Sequence, residues 1–450
     1  MRILDTSLLR NKHFLALVGN GIISVFSVIM MSLIYRALDK VQVGSWFFFL
    51  TVYGLADAIR NGFLSTATVK FYCGTAPERA KEVLGSIWFL ALAVTSLLGL
   101  INLCFFPFIG HFDNPSISAT IHWFTPTLFS ALPYTISYWI LVADERYIPI
   151  LWLRLINSGS MILIVLVLMF LNKMSLDTLL LFNFFTNCLT SLAAYLARLI
   201  KNKTFFNRSW KCIIEIANFG KYSLATNLSS NLLSSTNTFI LNFFLGPAAV
   251  AVYTLPSRLM EIIEIPLRSF VGTGMSGMAA AYNNNDMNKV GAIFKKYSGM
   301  LTWVFVPIAI LAFIFADFAI GLLGGGKYIH TEAPNVYRLF MLMAILYPID
   351  RFNGVTLDII HLPKMNFYKV LIMLFACVTS DLVGVTISKS IYGVAFASPI
   401  TLLTGIIVGY IALKKHIAYS FRDVFKTGFK ECVGLIERRV LTPFFNYKQK

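Results

Sequence analysis

The chain is patterned as long apolar runs separated by short polar breaks. Twelve such runs can be marked, at 14–35, 45–64, 83–106, 124–142, 148–171, 176–196, 224–245, 249–271, 301–323, 336–357, 370–387 and 393–413. Each is close to the ~20 residues that a helix needs to cross the hydrocarbon of a bilayer. The pattern therefore predicts an all-α polytopic membrane protein with about twelve transmembrane helices. The first run is too long for the core of a cleavable signal and reads as the first anchor.

The polar breaks organise the runs. The longest basic one, 198–211 ("RLIKNKTFFNRSWK"), follows the sixth run and divides the chain into two sets of six. The expected layout is an N-terminal six-helix lobe over 1–200, a basic cytoplasmic linker over 201–220 and a C-terminal six-helix lobe over 221–413. A basic amphipathic tail follows over 414–450. Paired sets of spans are a common transporter device. At an offset of 207 residues, chosen to fit, Asn20 falls on Asn227, Ser24 on Asn231, Ser27 on Ser234 and Asp57 on Glu264. Asn227, Asn231, Ser234, Thr238 and Asn242 also recur at helical spacing, so they form one stripe of span seven. Asn20, Ser24 and Ser27 form its counterpart on span one. Helix–helix hydrogen bonding and the wall of a polar cavity both account for such stripes. In the tail, Ile417, Phe421, Val424, Phe425 and Phe429 alternate with Arg422, Lys426 and Lys430, which predicts an amphipathic helix on the inner leaflet.

Composition agrees with the pattern. Hydrophobic residues make up 57% of the chain and charged residues 13%, with mean hydropathy +0.72; soluble domains run near a quarter charged. The net charge of +17 would suit nucleic acid if it were spread evenly. Instead, 27 of the 38 Lys and Arg residues fall on the side of the breaks that holds both termini. That asymmetry is the positive-inside pattern. It predicts cytoplasmic termini and contact with anionic lipids, and no nucleic acid. The six cysteines are scattered without a CxxC pair and read as free thiols.

Charges inside the spans are the candidate chemistry. Asp57 and Arg60 share one helix face in "YGLADAIRNG". Arg258, Glu261, Glu264 and Arg268 crowd span eight, "PSRLMEIIEIPLRSF", where Pro256 and Pro266 permit a kink. Arg154 lies in span five, Arg351 beside Asp350 in span ten, and Asp358 near that span's end. A charge at the bilayer centre costs about 2.5–3.5 kcal/mol on insertion scales, so these groups should face each other or water. An ion pair that holds helices together and a cavity wall are the two readings for each. Arginine stays charged when desolvated and grips phosphate as a fork. On that ground Arg60, Arg154, Arg258, Arg268 and Arg351 are the candidate ligands for an anionic, phosphate-bearing cargo. Asp57, Glu261, Glu264 and Asp350 would balance them or carry a coupling ion. Gly321–Tyr328 comes near a phosphate-binding loop, but Tyr328 stands where a Ser or Thr hydroxyl is needed.

Residues 219–270 carry a further pattern: Phe244-Leu245-Gly246 ending a helix, Ala249-Val250-Ala251 and Tyr253, then charged Arg258 and Glu261. Residues 36–48, "RALDKVQVGSWFF", are a weaker copy. This resembles the polysaccharide-unit (O-antigen type) flippases of the multidrug/oligosaccharidyl-lipid/polysaccharide exporter superfamily, and the likeness in topology covers residues 1–413. The resemblance implies two pseudo-symmetric six-helix lobes around a central cavity in a bacterial inner membrane. It also implies a lipid-linked oligosaccharide of undecaprenyl-pyrophosphate type as cargo, turned from inner to outer leaflet for surface polysaccharide assembly. Coupling to H+ or Na+ follows from it, with alternating access as in an antiporter. Twelve spans rather than fourteen point away from the peptidoglycan-precursor branch. The expected partners are the lipid-linked glycan, anionic lipids and other polysaccharide-assembly proteins. The protein is expected to be a monomer without resident metal or cofactor. A cation-coupled multidrug exporter of the same superfamily is the alternative. A membrane-embedded polymerase or ligase is disfavoured by the short outer loops, the longest near 107–123.

Overall fold

The computed structural model describes residues 12–436. The side chains of residues 12–20 and a few isolated positions within helices are outside that description, as is the end of the tail, 437–450. The described residues form α-helices and short 3-10 turns, with no strand among them.

The first unit, residues 1–251, holds α1 (Lys12–Ala37), α2 (Lys40–Tyr72), α3 (Pro77–Phe105), α4 (Pro115–Ser130), α5 (Leu132–Ala143), α6 (Tyr147–Phe170), α7 (Leu176–Leu196) and α8 (Trp210–Phe244). The second, residues 252–450, holds most of α9 (Pro247–Asn283), then α10 (Met287–Ile314), α11 (Ala316–Gly324), α12 (Ala333–Ala344), α13 (Tyr347–Ile359), α14 (Pro363–Ser388), α15 (Ile391–Lys414) and α16 (Phe421–Ile436). The division between compact units thus falls inside α9, past the basic linker. Helix α8 packs along α2 in the first unit. The linker is tied to the same unit: Ser209 caps α8 by accepting from the Cys212 amide and also donates to Glu82 of α3. Arg79 of α3 pairs with Glu82 and with Glu215 of α8.

Every apolar run is helical, and three are divided in two. Run 124–142 becomes α4 and α5, and run 336–357 becomes α12 and α13. In each pair a proline, Pro133 or Pro348, sits in the first turn of the second helix. It has no N–H to continue the preceding ladder. Run 301–323 becomes α10 and α11, which meet at Phe315. Six helices among the described residues are long and apolar enough to cross a membrane: those at Pro77–His111, Tyr147–Phe170, Leu176–Leu196, Met287–Ile314, Pro363–Ser388 and Ile391–Lys414. Their outward side chains are large and apolar, with Phe170 87% and Ile387 80% exposed. A surface built this way suits lipid rather than water. The long helices α2, α8 and α9 are more polar: α2 carries Asp57 and Arg60, α8 the longer polar stripe and α9 the charges from Arg258 to Arg268, while Arg154 lies on α6 and Asp350, Arg351 and Asp358 on α13.

Two helix contacts in the second unit depend on glycine. Gly384 of α14 and Gly393 of α15 touch backbone to backbone, so a Cβ on either would strike the other's carbonyl. Gly299 of α10 and Gly428 of α16 are also in backbone contact: a Cβ on Gly428 would strike the Gly299 carbonyl, and one on Gly299 the Val424 carbonyl. The second contact corrects the reading of the tail. The amphipathic helix forms over Phe421–Ile436, but much of its apolar face is covered by α10. Val424 is fully buried, the Trp303 Nε1–H donates to the Phe425 carbonyl (2.9 Å), and Lys296 pairs with Glu431 (2.7 Å). Phe429 alone of that apolar set is mostly exposed, beside the exposed cations Arg422, Lys426 and Lys430.

Candidate functional site

In the first unit, the Asp57–Arg60 spacing produces the expected ion pair. Arg60 Nη2 lies 2.8 Å from Asp57 Oδ1, and Asn61 Nδ2 donates to Asp57 Oδ2 at 2.6 Å. Arg60 has no exposed surface, and its Nη1 donates to the Leu128 carbonyl (3.1 Å). That carbonyl belongs to the last turn of α4, where a helix end leaves acceptors without partners. Trp139 of α5, fully buried, donates to Asn61 Oδ1 at 2.6 Å. The cluster therefore fastens α2 to the α4–α5 break. In this conformation the Arg60 guanidinium presents no face to a ligand, and Asp57 keeps a one-third exposed side chain. Arg154 of α6 donates to the Tyr138 hydroxyl of α5 (2.8 Å), with its guanidinium 5.0 Å from the Tyr138 ring. These two contacts also run between helices of one unit.

The polar stripe on α8 divides along its length. Asn227 and Ser234 are exposed and Asn231 half-buried; all three bond to backbone carbonyls of their own helix. Thr238 and Asn242 are buried. The half that reaches the surface could line a polar space, and the buried half packs. On α1, Ser27 is exposed and Ser24 half-buried, while the side chain of Asn20 lies outside the described residues.

The second unit gathers the exposed charges. On α9, Arg258 Nη1 and Glu261 Oε1 stand 2.7 Å apart, with side chains 39% and 53% exposed. One turn on, Glu264 Oε2 receives two guanidinia, Arg268 of α9 at 3.5 Å and Arg351 of α13 at 3.3 Å. The carboxylate is only 14% exposed, whereas its arginines are 67% and 56% exposed. Two cations sharing one anion leave a net charge of +1 on this group. Each guanidinium uses one corner on Glu264 and keeps other donors open to an incoming anion. Asp57 on α2 and Glu264 on α9, equivalent under the 207-residue offset, each pair with an arginine one helical turn later.

Three charged residues escaped the sequence reading. Lys369 precedes run 370–387 by one position but lies inside α14; it is 3% exposed and pairs with Asp350 Oδ1 at 2.5 Å. The basic partners of the membrane acids are thus not arginine alone. Arg338 lies in the first half of α12 and pairs with Asp317 (2.5 Å). Asp381 sits mid-helix in α14 with no exposed surface. An isolated acid at the centre of an apolar run was the available signal for it. Asp358 is exposed and accepts from Asn366 Nδ2 at 3.0 Å through both oxygens. Gly321–Tyr328 ends α11 and enters a 3-10 turn, without the strand that a phosphate-binding loop follows.

Residues 33–333 match the family model described as polysaccharide biosynthesis protein. A search of curated proteins finds no match. Among solved structures, the lipid II flippase MurJ in an inward closed conformation aligns with TM-score 0.71 at 14% identity, covering 92% of this chain and 90% of that one. A multidrug resistance MATE family transporter of the MOP superfamily, inward-facing, aligns with TM-score 0.70 at 13% identity, over 93% of this chain and 96% of that one. A MOP superfamily transporter from Pyrococcus furiosus aligns with TM-score 0.58 at 15% identity, over 90% and 97%. At these identities the likeness is one of fold.

Proposed function

The chain belongs to the polysaccharide biosynthesis protein family, and from that premise we propose that it flips a lipid-linked oligosaccharide of undecaprenyl-pyrophosphate type from the inner to the outer leaflet. The observation that carries this reading is the pair of exposed guanidinia, Arg268 and Arg351, held on one mostly buried carboxylate, Glu264. A pyrophosphate carries more charge than Glu264 and offers oxygens matched to two guanidinium forks. It would draw both arginines from Glu264 and take Arg258 as a third. Release would return them to the carboxylate, so occupancy and ion pairing would change together, as alternating access requires. Arg60 and Arg154 would position helices of the first unit rather than touch cargo. The exposed Arg422, Lys426 and Lys430 of α16 would meet anionic lipid headgroups.

Transport against a gradient needs a coupling ion, H+ or Na+. The setting is the bacterial inner membrane, with both termini cytoplasmic as the basic asymmetry argues. The solved neighbours are transporters and a flippase, none an enzyme, and the polymerase or ligase reading is set aside.

The test is transport by purified protein in liposomes. A fluorescent undecaprenyl-pyrophosphate-linked glycan should move to the opposite leaflet under a proton or Na+ gradient, and Arg351→Ala with Arg268→Ala should abolish the movement. No glycan movement, with gradient-dependent uptake of a cationic dye instead, would replace this reading with the multidrug exporter.

A further inference from the structure

Among the described residues of the second unit, the carboxyl of Asp381 is buried with no ion pair. It lies in α14 with no exposed surface. The Cys377 thiol one turn earlier donates to its Oδ2 at 3.6 Å, and Oδ1 has no hydrogen-bond partner. Across on α15, Thr401 faces the same thiol, and its own buried hydroxyl has no partner in bonding geometry. No lysine, arginine or histidine among the described residues pairs with Asp381. The charges that α13 brings to α14 act elsewhere. Asp350 engages Lys369 and Asp358 engages Asn366. Lys369 is twelve residues before Asp381, about 18 Å along the helix. The titratable group in contact with Asp381 is the Cys377 thiol, which brings no cation.

An ionised carboxylate without solvent or cation is strongly disfavoured, and such a group neutralises by taking a proton. A bound cation in its place would need several oxygens around it. The site offers one carboxyl, one hydroxyl and a thiol, between helices whose backbones touch at Gly384 and Gly393 one turn away. An ionisable residue inside a membrane helix that forms no structural pair is also the usual mark of an ion pathway.

We propose that Asp381 carries a proton when α14 and α15 are closed and that it is the group exchanging this proton with the driving gradient. Parting of the two helices would admit water to Oδ1. The proton would pass to that water and leave a hydrated carboxylate, and closure would require it to be taken up again. The assignment rests on the coupled-flippase reading for its purpose, but not for its detection. It also moves the coupling role away from Asp57, Glu264 and Asp350, which are neutralised by cationic partners.

Full-length protein in lipid nanodiscs would be followed by difference infrared spectroscopy across a pH titration, with no glycan present. The expected result is a protonated-carboxyl C=O band persisting above neutral pH, absent in Asp381→Asn and shifted in Cys377→Ala, which keeps the carboxyl. No such band in the wild type, or an unchanged band in Asp381→Asn, overturns the proposal. Loss of the band on adding Na+ at constant pH also overturns it and makes the site a sodium site. In liposomes, Asp381→Asn should exchange glycan-lipid down its own gradient yet lose the response to a pH gradient. An equal response in both proteins overturns the coupling role. An infrared result as expected with no glycan movement in the wild type would leave the proton site standing and remove only the cargo assignment.

Discussion

Arg60 and Arg351 are both arginines of predicted spans paired with an acid, and their surroundings assign them opposite roles. Arg60 is fully buried and binds Asp57 and the Leu128 carbonyl. Arg60→Met should therefore destabilise the protein by about 3 kcal/mol, since removing one partner of a buried pair strands the other. Thermal unfolding in detergent would show it, and an unchanged midpoint would refute the structural role. Arg351 is 56% exposed, so its ion pair contributes little to stability. Arg351→Ala should leave the midpoint nearly unchanged and weaken binding of undecaprenyl pyrophosphate about tenfold or more, the worth of one charge-assisted hydrogen bond. Glu264→Gln removes the competing anion. Equilibrium binding should tighten, while turnover falls because release loses its driving partner. A Glu264→Gln protein that binds more weakly would mean Glu264 orients the arginines rather than competing with the cargo.

Elements were legible where length and period speak. All twelve apolar runs became helix because run length alone separates spans from loops, and the i, i+3 spacing was enough to foresee the Asp57–Arg60 pair. What lay hidden was tertiary. Nothing near Arg60 in the chain points to the Leu128 carbonyl, 68 residues on. Lys369 lies inside α14 but one residue before the apolar run that predicts it, and Asp381 is masked by the apolar residues around it. The tail showed its amphipathic period but not its partner, because the period cannot tell a protein face from a lipid face. That partner is chosen by Gly299 and Gly428, which bring α10 and α16 into backbone contact. Gly428→Leu should therefore detach α16 without unfolding the rest. Spin labels at Lys295 and Lys426 would report a longer and broader distance distribution, and an unchanged distribution would mean that the side-chain contacts at Trp303 and Glu431 suffice.

For the whole molecule, the basic asymmetry makes a topological claim that the helices turn into chemistry. Cys73 follows α2 at the end expected to be cytoplasmic, and Asp113 is exposed between α3 and α4 at the opposite end. With the other cysteines replaced, a membrane-impermeant maleimide added to intact cells should label Asp113→Cys and spare Cys73. In inverted vesicles the pattern should reverse. Cys73 adds a second signature. Although Cys73 is exposed, partial desolvation, and then the carboxylates of Asp144 and Glu145, hold its thiol above the usual range. Because the thiolate is the reacting species, labelling of Cys73 from the cytoplasmic side should be slow at neutral pH and accelerate only as pH rises through that elevated value. A cysteine at exposed position 113, in the same vesicles after permeabilisation, provides the comparison. Labelling of Cys73 from outside intact cells would invert the orientation. The exposed cations of α16 would then face the outer side, and the proposed direction of flipping would be reversed with them.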